Sequence, residues 1–294
     1  MKLLLILLAA LGALSGTRAE SLAGPAITAA LERESAAASA SVVLLDAATG
    51  DLIFSNWGDL QRPIPLGSLV KPFTALAYAA SHRFRYPELT CGGRPAECWL
   101  PGGHGQVDIR SALAYSCNAY FRHLSEGLEA AQLAAVTLRF SMASPPPGAS
   151  SETYWGLGGR WRIAPLEMTR AYAELARRSA EPGVRQLLEG LALCARSGTA
   201  RGVGRALPHG SALAKTGTAP CVHHDLAGRD TIRSDSRHAV EPSNGDGYVL
   251  ALSPRDRPRY ALLLQVHGVP GRHAAVLGGK LLALLSAADS RGRQ

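Results

Sequence analysis

The strand-like stretches of this chain lie near its two ends, with helix-like stretches between them. Ser41-Val-Val-Leu-Leu45 and Leu52-Ile-Phe54 are short apolar runs joined by the turn Asp46-Ala-Ala-Thr-Gly50. The remaining strand-like runs, Ser211 to Thr218, Tyr248 to Leu252 and Tyr260 to Val266, come only after residue 210. An isolated hairpin is marginal in water, so the early strands need the late ones. The expected class is α+β: an antiparallel sheet built from N- and C-terminal strands, flanked by helices, with a mostly helical subdomain.

Residues 20 to 40 read as an Ala-rich amphipathic helix around Ile27 and Leu31. A helix is expected from Ser68 through Ala80, and another from Val107 to Leu124 with Ile109, Leu113, Tyr120, Phe121 and Leu124 as its apolar side. Leu128 to Phe140, Pro165 to Ala176 and Val184 to Ala195 complete the helical middle, and His273 to Ser286 is a closing apolar helix. Residues 82 to 107 read as loop, and 220 to 246 as a polar insertion. With 294 residues, 47% of them hydrophobic, the chain holds enough apolar surface for a sizeable core. Residues 20–294 are read as a single domain. Residues 1–19 read as a secretory signal: basic Met1-Lys2, apolar Leu3 to Leu14, and Thr17 and Ala19 in a small-x-small cleavage pattern. An uncleaved anchor is the alternative. No later stretch is long and apolar enough to span a bilayer. The expectation is an exported protein, in the periplasm or on the extracytoplasmic face of the membrane.

The net charge is +8, and removing Lys2 and Arg18 leaves +6. The arginines are dispersed, which favours contacts with an anionic cell wall or membrane surface over nucleic acid. Of 31 basic residues only Lys2, Lys71, Lys215 and Lys280 are lysines. Where charge alone is needed, this chain uses arginine. Arginine does not give up its proton, whereas a shielded lysine does. A lysine kept at 71 therefore draws attention to Gly67-Ser68-Leu69-Val70-Lys71-Pro72-Phe73. In a helix, Ser68 and Lys71 lie on one face, and a lysine of lowered pKa takes a serine proton. A capping serine beside a solvated lysine would leave the same trace.

Two further constellations follow. Ser116-Cys117-Asn118 lies in the helical middle; residues two apart share no regular helix face, and they would share a pocket only at a helix junction, while helix-interior polar residues capping a neighbour are the simpler reading. Lys215-Thr216-Gly217-Thr218 is strand-like, with Lys215 and Gly217 on one side and Thr216 and Thr218 on the other. A strand glycine admits another backbone or a ligand, and Lys and Thr offer donors to a carboxylate. An edge strand with a gatekeeper lysine is the simpler reading of that motif. The five cysteines are Cys91, Cys98, Cys117, Cys194 and Cys221, an odd number that leaves at least one unpaired in a monomer. Cys91 and Cys98 flank a Gly-Gly-Arg-Pro turn and are a candidate disulfide. Cys221, His223, His224 and Asp225 match no metal-ligand spacing, so no metal and no cofactor are assigned. Cys117 has no His–Cys arrangement to support it as a nucleophile, and His104 reads as a loop-packing residue.

Ser-x-x-Lys, Ser-x-Asn and Lys-Thr-Gly-Thr in that order resemble the active-site signature of the penicillin-recognising serine acyltransferases. Val43 to Asp46 with Gly50 to Ile53 resembles the first hairpin of that family. Cys91-Gly92, Cys98-Trp99, Gly103-His104-Gly105 and Ser116 to Phe121 resemble the elongation-type class B penicillin-binding protein transpeptidases. So do Gly156-Leu157-Gly158, Ala164 to Met168, Ala171 to Ala173 and Gly198-Thr199-Ala200. The resemblance runs from about residue 40 to 287. The large N-terminal pedestal of such transpeptidases has no counterpart, and Tyr248-Val-Leu-Ala251 replaces the usual Trp-Phe-x-Gly.

The resemblance implies a D,D-transpeptidase or D,D-carboxypeptidase acting on peptidoglycan stem peptides that end in D-Ala-D-Ala. Ser68 would be acylated, Lys71 would be its base, Ser116 would relay the proton, and Asn118 would hold Lys71 or the substrate. The amides of Ser68 and Thr218 would form an oxyanion hole. Lys215, Thr216 and Thr218 would bind the terminal carboxylate beside Gly217, and β-lactams would inhibit by acylating Ser68. A β-lactamase or β-lactam sensor of the same fold, or a non-catalytic cell-wall scaffold, are the alternatives.

Overall fold

A computed structural model of the chain describes residues 24–208, 211–224, 230–232 and 245–291. The expected signal 1–19, the side chains of His223 and His224, and Asp225 lie outside the described residues.

In chain order the elements begin with α1 (Pro25–Ala37), β1 (Ala40–Asp46), β2 (Leu52–Ser55) and β3 (Ile64–Pro65). A 3-10 turn, Gly67–Val70, leads into α2 (Lys71–Ser81). The helical middle holds β4 (Leu89–Cys91), β5 (Gly105–Val107), α3 (Ile109–Ala114), α4 (Asn118–Glu126), α5 (Ala130–Arg139), α6 (Ser151–Tyr154), β6 (Arg162–Ile163), α7 (Pro165–Arg177), α8 (Val184–Arg196) and α9 (Arg201–Ala206). The chain returns through β7 (Leu213–Ala219), β8 (Val222–His224), β9 (Asp230–Ile232), β10 (Asp246–Ser253), β11 (Tyr260–Val266) and α10 (Gly271–Arg291).

The two ends meet as predicted, in one antiparallel sheet of order β2-β1-β11-β10-β7. Helices cover both faces, so the central strands read as continuous apolar runs rather than alternating ones. Val43, Leu45, Leu250 and Leu263 point into a core shared with Phe73 of α2 and Tyr172 of α7. Val42, Leu44, Val249 and Leu264 point the other way, onto Leu281 and Leu285 of α10. The mixed α/β architecture expected from the sequence is therefore present. β7 is an edge of the sheet, and the Gly67–Val70 turn packs on it.

Three local expectations change. The helix expected over 107–124 is two helices, broken at Tyr115-Ser116-Cys117. The apolar period survives the break because Ile109 and Leu113 before it and Tyr120, Phe121 and Leu124 after it enter the same core, which is why periodicity alone concealed it. Loop 82–107 carries the short pair β4–β5, and the insertion after residue 220 carries the pair β8–β9.

Candidate active site

Ser68 sits in the 3-10 turn Gly67–Val70, and the α-helical pitch begins only at Lys71. The expectation of one helix starting at Ser68 is corrected to that extent. Pro72 threatened helical geometry at Lys71. Lys71 nevertheless adopts φ −53° and ψ −40°, its amide donating to the Ser68 carbonyl. Pro72 lies in the first turn of α2, where a missing N–H costs nothing. Tertiary contacts hold the turn: Tyr172 Oη donates to the Leu69 carbonyl at 2.7 Å. Phe73 sits edge-on to Phe140 and Tyr172, with ring centroids 5.2 and 5.5 Å away.

Gly67 (φ +56°) lies so close to β7 that a Cβ would come within 2.2 Å of the Thr218 carbonyl oxygen. A Cβ on Gly156 (φ +94°) would come equally close, 2.2 Å, to the Gly67 carbonyl oxygen. The turn is thus clamped backbone-to-backbone between strand and loop, a fit that only glycine permits. It presents Ser68 to a cavity of about 580 Å³, which Asn118, Ser116, Thr216, Gly217 and Thr218 also line.

Beneath Ser68, Lys71 is fully buried. Its Nζ lies 2.7 Å from Asn118 Oδ1, 3.1 Å from the Ser116 carbonyl and 3.3 Å from Ser116 Oγ. The rings of Phe121 and Trp155 flank it at 5.1 and 5.6 Å. Lys215, also fully buried, donates to Ser116 Oγ at 2.8 Å and to the Thr216 carbonyl at 2.9 Å. Burial, and then the nearby Lys215 charge, hold Lys71 well below the usual lysine range. Burial also lowers Lys215, to about 8.

Two ammonium groups around one hydroxyl repel each other, and this adds to burial in disfavouring the charged form of Lys71. A neutral amine has two N–H groups, and the Asn118 and Ser116 carbonyl oxygens accept both. With Lys215 donating to Ser116 Oγ, the Ser116 hydroxyl hydrogen is left for the lone pair of Lys71. The network is satisfied with Lys71 neutral and Lys215 charged.

Ser116 reaches both lysines because it occupies the break between α3 and α4. Its φ is +53°, unusual for a residue with a Cβ. The Cys117 amide donates back to the Ala112 carbonyl, closing α3, and Asn118 opens α4. The junction that would let Ser116 and Asn118 share a pocket is present. On β7, Lys215 faces Ser116, whereas Thr216 and Thr218 face α9 and α10, as alternation predicts. Thr216 Oγ1 lies 2.6 Å from Thr199 Oγ1, and Thr218 Oγ1 accepts from the Gly271 amide at 3.1 Å. The gatekeeper reading of Lys215 fails because the side chain is buried.

The fold gathers one cluster that spacing did not reveal. Cys91, Cys98 and Cys117 are free thiols, so the bridge expected between Cys91 and Cys98 is not formed. Their sulfurs and a ring nitrogen of His104 all lie within 4.8 Å of one another. His104 Nδ1 is 3.6 Å from Cys91 Sγ and 3.4 Å from Cys98 Sγ, and Cys98 Sγ is 4.0 Å from Cys117 Sγ. Tetrahedral Zn²⁺ with ordinary bond lengths sets S···S edges of about 3.8 Å and S···N edges of about 3.5 Å. These three separations lie close to those edges, so the four side chains suit a closed structural Zn²⁺ site, and pairing two of the cysteines would strand the other two donors. His104 is then a ligand candidate rather than loop packing. The sequence points only to Cys221, His223, His224 and Asp225 as candidate ligands, whereas the 91, 98, 104, 117 set joins separate elements at a spacing that follows no common motif.

A buried amine beneath a serine, a hydroxyl shared by two lysines and one of those lysines on a sheet edge make an arrangement of the serine acyl-transfer type. The penicillin binding protein transpeptidase domain family matches residues 40–276, and the chain belongs to that family. No curated protein matches it by sequence. Among solved structures, Pseudomonas aeruginosa PBP2 in complex with WCK 5153 is similar at TM-score 0.68 and 17% identity, covering 91% of this chain and 74% of that one. The transpeptidase domain of Burkholderia pseudomallei penicillin-binding protein 3 is similar at TM-score 0.67 and 15% identity, covering 95% and 98%. Helicobacter pylori PBP2, solved with MreC, is similar at TM-score 0.68 and 14% identity, covering 92% and 63%. At these identities the likeness is one of fold.

Proposed function

We propose that the chain is an exported serine D,D-transpeptidase or D,D-carboxypeptidase that cleaves D-Ala-D-Ala stem peptides through a Ser68 acyl-enzyme and is acylated by penicillins. The observation that carries this reading is the place of Lys71: a fully buried amine whose charged form is disfavoured by burial, one turn from a serine at the mouth of a cavity.

Lys71 takes the proton of Ser68 Oγ as that oxygen attacks the scissile carbonyl. The Ser68 and Thr218 amides stabilise the oxyanion, worth about 3 kcal/mol per donor. Ser116, in contact with both lysines, passes the proton to the departing amine nitrogen. Charged Lys215, with Thr216 and Thr218, holds the terminal carboxylate; Asn118 fixes the Lys71 amine. The acyl group then passes to an amine or to water. Zn²⁺ at the thiol–imidazole site would be structural, tying the β4–β5 segment to the turn that carries Ser116. Among the described residues no carboxylate lines the cavity to activate water, which favours a long-lived penicillin adduct over a β-lactamase outcome.

Fluorescent penicillin should label the wild-type protein and not Ser68→Ala. An unlabelled wild type, or a Ser68→Ala variant that still takes up label, refutes the reading. Mass spectrometry of products from a stem pentapeptide, with and without an acceptor amine, separates transpeptidase from carboxypeptidase.

A further inference from the structure

The cavity has two unlike ends. Beyond Thr216 and Thr218 its wall is made by α9 and the start of α10, which contribute Arg201, Arg205, Arg272 and His273. All four side chains are solvent-exposed. The two helices are pressed together, since a Cβ on Gly202 would come within 2.8 Å of the Val276 amide nitrogen. That contact places the guanidinium groups of α9 beside the residues that open α10. Arg201 and Arg205 lie four apart on α9, one turn above the other. Some arginines elsewhere are matched by acids, Arg110 by Glu189, Arg178 by Glu174 and Arg259 by Asp289, but those stand apart from one another and do not line this cavity. Among the described residues, Arg201 and Arg205 have no carboxylate partner, and no Asp or Glu lines the cavity. Gathering like charges here costs stability unless an anion joins them.

One carboxylate is already accounted for by Lys215, Thr216 and Thr218. The Gly271 amide at the start of α10 is taken by Thr218 Oγ1, so that helix end is not a free anion donor. The arginine wall is in excess of what a terminal D-alanine needs. The residue that leaves during acylation occupies this end. So does any amine that attacks the acyl-enzyme, because amide formation is the reverse of amide cleavage.

Resting on the proposed acyl-transfer reading, we propose that the amine component handled by this site is a D-amino acid unit with a second carboxylate, and that Arg201 and Arg205 select it. In the transfer step the amine nitrogen attacks the Ser68 ester carbonyl. The new C–N bond forms, the C–O bond to Ser68 Oγ breaks, and the amine's proton returns through Ser116 and Lys71 to Ser68 Oγ. The products are an amide and free serine.

The experiment uses the purified full chain in two portions: one is incubated with fluorescent penicillin to establish that Ser68 is acylated, and the other, never exposed to penicillin, is kept for the transfer assay. A D-alanyl thioester donor is then offered D-Ala and D-Glu together at equal concentration, and the two amide products are counted by mass spectrometry. The ratio within one tube is independent of overall rate. At low salt D-Glu should be incorporated about tenfold more than D-Ala, and the preference should fall to within about twofold in about 0.5 M NaCl. It should fall likewise in the double variant Arg201→Gln, Arg205→Gln, and be restored toward wild type by Arg201→Lys, Arg205→Lys. Equal use of the two amines, a preference that survives the double glutamine variant, or hydrolysis alone from an acylated enzyme overturns this inference while leaving the acyl-transfer reading intact. An unlabelled Ser68 overturns both.

Discussion

Lys71 and Lys215 touch the same hydroxyl, Ser116 Oγ, from opposite walls of the groove. On the helical wall Lys71 is ringed by Phe121, Trp155, Asn118 and Ser116, and burial and then the Lys215 charge push its pKa well down. On the sheet wall Lys215 is buried as deeply, yet its pKa falls only to about 8. The difference teaches a division of labour. One wall holds a group that moves a proton; the other holds charge, first Lys215 and then the arginines of α9 and α10.

The sharpest way to break that contrast is exchange with arginine, which supplies charge but not a titratable amine. Lys71→Arg should lose about a thousandfold in penicillin acylation, as Lys71→Ala does, because a general base contributes roughly 10²–10⁴. Lys215→Arg should keep most of the wild-type rate. Stopped-flow acylation decides it, and a Lys71→Arg variant near wild type would dissolve the distinction.

The helical wall also depends on the thiol–imidazole cluster. Purified protein should carry about one Zn²⁺ per chain by elemental analysis, and Cys117→Ser should carry almost none. Losing the ion should cost on the order of 3 kcal/mol, a fall in melting temperature of about 6–10 °C at this size. A metal-free wild type whose melting is indifferent to chelator would remove the ion from the account.

The pH profile separates the two lysines without mutation. Acylation should climb with pH as Lys71 deprotonates, then decline above about pH 8 as Lys215 loses the charge that holds the substrate carboxylate. The stability trend has the opposite slope there. Both folded pKa values lie below the unfolded value, so above about pH 8 the unfolded chain binds more protons than the folded one, and stability rises with pH toward the free-lysine pKa. A rate that keeps rising past pH 9 would show that Lys215 need not be charged.

The smallest effect is expected behind the nucleophile turn. Tyr172→Phe removes the hydrogen bond to the Leu69 carbonyl and should cost about 1 kcal/mol in denaturant unfolding, with acylation reduced only severalfold. A loss as large as that of Lys71→Ala would give Tyr172 a part in the chemistry.

Most of the secondary structure was legible because long apolar periods and capping residues are local. The helix over 107–124 was not, since its break leaves the apolar period untouched and depends on a left-handed Ser116 that no propensity favours. The catalytic candidates were legible for a different reason. A chain that spends arginine freely and keeps lysine at 71 and 215 marks the two places where an amine matters. Their order with Ser116 and Asn118 marks the family.

By itself, the sequence determined a sheet closed from both ends and three motifs that belong together. Only the tertiary structure decided what those motifs do to one another. Desolvation of Lys71 comes from Phe121 and Trp155, which lie 50 and 84 residues further along the chain. The four-donor cluster and the arginine wall are likewise meetings of separate elements. Proton affinity, metal fit and charge density depend on distances through space, and sequence spacing fixes those only within a single helix or strand.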